Sequence, residues 1–180
     1  MENLKDQEKP TKILIMGLDN CGKTSILISL RKDANILSYF SLRPTKGVAI
    51  EKFEGQNIVC WDLGGQKKYR EEYIKDLGKY IKETDKIIFV IDVQDIKRYE
   101  VALEYLNRIV ENLISSNTNL DFSIFLHKYD PNLNKLAKFK DIDNLIESQL
   151  VSEVRKTISS KFNYDIFKTT IYTIFEKTSY

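Results

Sequence analysis

The segment Gly17-Leu-Asp-Asn-Cys-Gly-Lys-Thr24 constrains this chain more than any other. It fits the pattern G-x-x-x-x-G-K-[ST]. It stands between a short apolar run, Lys12-Ile-Leu-Ile-Met16, and a helical spacing of Ile26, Leu27 and Leu30. A strand that enters a glycine loop and leaves as a helix is the context that gives this pattern its meaning. Glycines let a loop wrap a polyphosphate, with backbone N–H groups turned toward anionic oxygens. The helix start adds a partial positive charge. Asp19, Asn20, Cys21, Gly22, Lys23, Thr24 and Ser25 are therefore candidate nucleotide ligands. Lys23 is a compact cation suited to the β- and γ-phosphates, and Thr24 offers a hydroxyl to Mg²⁺. A chance glycine turn would explain the loop but not the Lys-Thr pair at the helix start.

The rest of the chain alternates strand and helix patterns. Strands are expected over 12–16, 48–53, 58–62, 87–91, 122–126 and at Ile166-Phe167; Gly55-Gln56-Asn57 turns the second into the third as a hairpin. Helices are expected over 23–32, 68–83 (interrupted or kinked near Gly78), 101–114 and 142–154. Residues 33–47 show no period and read as a loop. Such alternation predicts an α/β fold with a largely parallel sheet.

Four further segments carry chemistry. Trp61-Asp-Leu-Gly-Gly-Gln66 ends the third strand. Asp62 is placed to hold a Mg²⁺ ligand through water, Gly65 to offer its N–H to a γ-phosphate, and Gln66 to orient an attacking water. His127-Lys-Tyr-Asp130 follows the fifth strand. A carboxylate at Asp130 matches the paired N1–H and N2 donors of guanine, a pair adenine lacks. The stem of Lys128 can cover the base, and His127 can serve the same loop. Thr45, in Arg43-Pro-Thr-Lys-Gly47, is a candidate second Mg²⁺ ligand. Thr170 and Ile171, after the last strand, can lend backbone N–H groups to a guanine carbonyl. The Lys-rich stretch 135–140 reads as a solvated face.

These residues resemble a Ras-superfamily small GTPase. Gly17-Leu-Asp-Asn-Cys-Gly-Lys-Thr24, Pro44-Thr45-x-Gly47 and Trp61-Asp-Leu-Gly-Gly-Gln66 are similar to Arf, Sar and Arf-like proteins. His127-Lys-x-Asp130 and the long Thr24–Thr45 and Gln66–Asp92 stretches resemble Rag-type GTPases. The Thr45–Asp62 hairpin is shorter than in either. The resemblance covers about residues 12–172. It implies a P-loop NTPase fold, a six-stranded mostly parallel sheet with helices on both faces, and GTP or GDP at the carboxyl ends of the strands. It also implies a molecular switch in which Thr45 (switch I) and Gln66 (switch II) rearrange when the γ-phosphate leaves. Lys23, Thr45 and Gln66 are then the catalytic set. The alternative is a Rag-like assembly module that binds GTP with negligible hydrolysis. Nothing in the sequence assigns Arg43 as an arginine finger in cis. Turnover without a partner's arginine is therefore expected on the order of 10⁻⁴ s⁻¹.

Composition narrows the setting. The 28 basic and 26 acidic residues nearly cancel, which argues against nucleic acid as a partner. Glu2 stands where myristoylation needs Gly, and the last residues contain no cysteine for prenylation, so no lipid anchor is expected. Two cysteines in unrelated contexts suggest a reducing, cytoplasmic location. Residues 1–11 read as a flexible leader and 12–180 as the GTP-binding domain. Only Ile174, Phe175 and Tyr180 follow Tyr172 as sizeable apolar groups. The terminal helix is therefore expected to be short or truncated, with a sheet face around Ile13–Ile15 and Ile166–Phe167 open to a second polypeptide. Regulatory and effector proteins are expected at switch I and switch II.

Overall fold

The computed structural model describes residues 9–53, 55–158 and 162–173. Its sheet contains β1 (Thr11–Gly17), β2 (Val48–Phe53), β3 (Ile58–Leu63), β4 (Lys86–Asp92), β5 (Asp121–His127) and β6 (Tyr164–Thr169), in the order β2-β3-β1-β4-β5-β6. All neighbours are parallel except the β2–β3 hairpin. The central strands are apolar because both of their faces are covered: Ile87, Phe89, Val90 and Ile91 of β4 are all buried.

One face packs on α5 (Tyr99–Ser115), which buries Ala102, Tyr105, Leu106, Ile109, Val110 and Leu113 at helical spacing. The same core takes in Tyr73 of α3 (Lys67–Lys75), Leu77 of α4 (Leu77–Ile81), Ile142 of α6 (Ile142–Leu145) and Val154 of α7 (Ser152–Thr157). A wider π-type segment, Ile146–Val151, joins α6 to α7. The opposite face holds a smaller cluster in which Ile26 and Leu27 of α1 (Lys23–Ser29) meet Ile15, Cys21, Cys60 and Val90.

Several boundaries differ from the sequence reading. The expected loop 33–47 contains α2 (Ile36–Phe40). Asn35 caps it by accepting from the N–H groups of Leu37 (3.0 Å) and Ser38 (3.3 Å), and the Ser38 hydroxyl accepts from the Asn35 N–H. No residue of α2 is buried, and its apolar residues Ile36, Leu37 and Phe40 span barely one turn, too short a run for a periodicity argument. Helix α1 ends at Ser29, three residues short of expectation. The 68–83 helix breaks at Asp76, and Gly78 lies inside α4. Strand β1 begins at Thr11, one residue inside the expected leader. Of the sheet face expected to stand open, Ile15 is fully buried while Phe167 is 45% exposed. The tail residues Ile174, Phe175 and Tyr180 and most of the leader lie outside the described residues.

Parallel pairing aligns the strand ends that matter. Asp92 is in register with His127, and His127 with Thr169. Gly17 is in register with Val90, and Ile15 with Asp62. The loops carrying each motif therefore leave one edge of the sheet, where ligands of such folds bind.

Candidate nucleotide and metal site

A cavity of about 290 Å³ lies at that edge. It is lined by Asp19, Asn20, Gly22, Lys23, Thr24 and Ser25 of the β1–α1 loop, by Leu42–Thr45, and by Gly65 and Gln66. Segments separated by up to fifty positions thus enclose one space. Cys21 is the exception within the loop: its side chain is buried beneath it in the smaller core cluster. Cys21 can therefore serve a ligand only through its backbone.

Lys23 is buried, and its ammonium donates to the Leu18 carbonyl (2.7 Å) and the Gly17 carbonyl (3.2 Å). Burying an ammonium is costly unless it is hydrogen-bonded. The loop's own carbonyls meet that need and keep the cation at the cavity wall. Close approach of the loops depends on Gly65. A Cβ there would fall 2.2 Å from the Asp19 nitrogen. The Asp19 N–H instead donates to the Gly65 carbonyl at 3.0 Å, and Arg70 Nε donates to the same oxygen at 3.0 Å.

Thr24, Thr45 and Asp62 converge. The Thr24 hydroxyl donates to Asp62 Oδ2 at 2.6 Å, the Thr45 hydroxyl reaches the same oxygen at 2.9 Å, and the two hydroxyl oxygens lie 3.0 Å apart. Asp62 is 1% exposed, and its Oδ1 is buried without a hydrogen-bond partner among the described residues. A buried carboxylate oxygen left unpaired carries a large desolvation cost. Two hydroxyls and this carboxylate are the hard oxygen donors that Mg²⁺ takes, so the residues present fit the ion.

At the other end, the Lys128 ammonium donates to the Asn20 carbonyl (2.7 Å) and pairs with Asp92 (2.7 Å). This ties the base-side loop to the phosphate-side loop. Both oxygens of Asp130 are held: Oδ1 accepts from the Thr170 hydroxyl, and Oδ2 accepts from Gln94 Nε2 at 2.8 Å. The Thr170 side chain thus holds Asp130. The side chain of Ile171 packs on the smaller core cluster.

His127 is 3% exposed and lies against Gly22 of the phosphate-side loop. Its Nδ1 is 2.9 Å from the Thr169 hydroxyl, and a Cβ on Gly22, where φ is +96°, would meet the ring at 2.5 Å. His127 therefore joins the two loops by packing. Burial first, and the neighbouring Lys128 second, hold its pKa below the usual 6.5, against Asp92 and Asp130. As pH falls through 6.5 the unfolded chain takes up the proton before the folded one, so stability falls from there down to the folded pKa. The thermal midpoint is expected to drop between pH 7.5 and 5.5, and His127→Asn to lessen this drop. An unchanged pH response in that variant, measured by calorimetry, would clear His127.

Two residues in the site gave no signal in the sequence. Gln94 uses both amide hydrogens, on Asp130 and on the Lys128 carbonyl (2.8 Å). Lys128 has φ +62°, uncommon for a residue with a side chain, so that carbonyl is held where the backbone is unusual. Arg98, in a short 3₁₀ turn (Ile96–Arg98), donates to Asp19 Oδ1 (3.1 Å) and the Asp19 carbonyl (3.2 Å), and pairs with Asp95. Both residues follow β4, whose carboxyl end lies at the site. Their types alone do not distinguish them from any polar loop.

The sheet order, the loop after β1 and the converging motifs define a small GTPase. The chain belongs to the ADP-ribosylation factor family, whose family model matches residues 1–174. It is 31% identical over 151 residues to ADP-ribosylation factor-like protein 2 of Dictyostelium discoideum, covering 81% of this chain and 77% of that protein. It is 33% identical over 132 residues to ADP-ribosylation factor-like protein 3 of Chlamydomonas reinhardtii, covering 72% and 69%. The fold matches the Arl6 BBS3 small GTPase from Trypanosoma brucei with bound nucleotide analogue GppNp, at a TM-score of 0.64, 21% identity, and 89% and 87% coverage. The protein is accordingly a GTP-binding molecular switch that binds GTP and GDP and hydrolyses GTP. The assembly module without hydrolysis is not favoured.

Proposed function

We propose that the cavity holds the phosphates of GTP, that Thr24, Thr45 and Asp62 hold Mg²⁺, and that Gln66 orients the attacking water. The observation that carries this reading is the convergence of two hydroxyls on a buried carboxylate with one oxygen unpaired, beside a cavity lined by Lys23 and Gln66. The metal, when bound, neutralises charge on the β- and γ-phosphate oxygens. Lys23 turns from its loop carbonyls to those same oxygens. Gln66, at the entrance to α3, aligns water with the γ-phosphorus. Asp130, Lys128 and Thr170 form the guanine end.

Thr45 links the metal site to switch I, so its engagement depends on the γ-phosphate. Just before it, α2 presents Leu37 (70% exposed) and Phe40 (78%). These are suited to an apolar partner surface that senses the state of switch I. The free thiols of Cys21 and Cys60 are buried; burial pushes Cys60 up to about 11 and Cys21 upward, which fits a reducing cytosol.

Gln66→Leu tests the catalytic assignment, because Leu keeps the bulk and removes the polar end. Single-turnover hydrolysis is expected to slow at least about tenfold while GTP affinity holds, the signature of a contact made only in the transition state. An unchanged rate would remove Gln66 from the mechanism.

A further inference from the structure

The chain has six arginines, all among the described residues, and five have partners. Arg31 pairs with Glu51, Arg98 with Asp19 and Asp95, Arg108 with Glu71 and Arg155 with Glu147, while Arg70 donates to the Gly65 carbonyl. Arg43 alone makes no hydrogen bond, ion pair or ring contact among the described residues. It is also the one arginine lining the phosphate cavity, beside Lys23, Thr45, Gly65 and Gln66.

An exposed arginine without a partner is ordinary; one at the rim of an anion cavity is not. Its position follows from the chain. Pro44 has a fixed φ, so Arg43 is coupled through one stiff residue to Thr45. Thr45 is pinned at the metal site by its hydroxyl contact with Asp62. Whatever closes Thr45 on the site brings the Arg43 backbone with it. The guanidinium has five donors in a planar fork that matches phosphoryl oxygens, and it stays charged at any working pH.

We propose that Arg43 is an arginine finger supplied in cis. It contacts the γ-phosphoryl oxygens in the transition state, so that this protein hydrolyses GTP without a partner's arginine. The inference rests on the cavity being the γ-phosphate site. In the reaction, the water oxygen forms a bond to the γ-phosphorus as the bond to the β–γ bridging oxygen breaks. The bonding electron pair leaves on GDP, and the water's protons pass to the phosphate product and to solvent. Arg43 neutralises the charge on the equatorial oxygens and the bridging oxygen, and gives up no proton. An arginine in cis raises the unassisted turnover of GTPases from on the order of 10⁻⁴ to about 10⁻² s⁻¹. The wild-type rate is therefore expected near the upper value.

The test is single-turnover hydrolysis by the full chain with Mg²⁺ and no added protein, comparing wild type, Arg43→Ala, Arg43→Lys and Gln66→Leu. GTP and GDP affinities are measured alongside. Arg43→Ala is expected to slow hydrolysis about 10- to 100-fold with affinity within about threefold, because the contact belongs to the transition state. Arg43→Lys should recover little, since a point cation lacks the fork. A second readout is trapping of GDP with fluoroaluminate, a transition-state mimic: wild type should form this complex alone and Arg43→Ala should not. Full hydrolysis, or full fluoroaluminate trapping, by Arg43→Ala would overturn the inference. So would a fall in affinity that matches the fall in rate. Slowing in Gln66→Leu but not in Arg43→Ala would leave the proposed site standing and remove the finger alone. No effect of either variant would overturn both.

Discussion

Lys23→Ala is expected to weaken binding of GTP and GDP alike, by on the order of 10²–10³-fold. Truncating one partner of a buried, hydrogen-bonded charge pair costs about 2–5 kcal/mol, and each 1.4 kcal/mol is a factor of about ten. Lys23 meets the conditions for the upper part of that range: it is 5% exposed and hydrogen-bonded to the carbonyls of Leu18 and Gly17. Phosphates entering the cavity replace two neutral carbonyls with full anions around the same ammonium. The nucleotide-free fold should survive, because alanine removes a buried charge and leaves the β1–α1 backbone intact. Titration calorimetry with both nucleotides, paired with a thermal melt of the free protein, separates the effects. Unchanged affinity would refute the phosphate assignment of the loop.

Asp130→Asn should erode most of the base choice. Guanine presents N1–H and an N2 amine to the carboxylate, whereas xanthine carries a carbonyl where that amine sits. Sites built on such contacts discriminate by about 10⁴–10⁵. The GTP-to-XTP preference is therefore expected to fall by on the order of 10³-fold, through weaker GTP binding and stronger XTP binding. The surroundings decide how the new amide sits. Gln94 Nε2 is a donor only, so it requires an oxygen opposite; the Thr170 hydroxyl can turn and accept from the new N–H. The amide nitrogen thus settles toward Thr170 and the oxygen toward Gln94. Competition binding with GTP, XTP and ATP reads this directly. ATP binding as tight as GTP in the wild type would overturn the guanine assignment.

The order of the elements and the segments that meet at the cavity were both legible in the sequence wherever the signal was contiguous. Gly17–Thr24, Trp61–Gln66 and His127–Asp130 each place their key side chains within a few residues of a strand end. A parallel sheet then brings those strand ends to one edge. Helix α2 was not legible, because its stability comes from the Asn35 cap and none of its side chains is buried. The interruption of the 68–83 helix was legible, but it falls at Asp76, and Gly78, the more conspicuous helix breaker, lies just inside α4.

By itself, then, the sequence determined that a glycine-rich loop ending in Lys23-Thr24, the turn from Asp62 to Gln66 and the carboxylate of Asp130 stand at strand ends of a parallel α/β sheet. Each depends on residue type and local spacing, which the chain carries in full. Only the tertiary structure decided what each group faces. It turned His127 under Gly22 and seated Asp130 between Thr170 and Gln94, the latter 36 positions away. It bound Asp19 to Arg98 across 79 positions. Among the described residues, it left one oxygen of Asp62 without a hydrogen-bond partner and Arg43 without one at the cavity rim. Such pairings arise when distant strand ends and loops are packed against one another, and local spacing carries no record of which polar group will meet which.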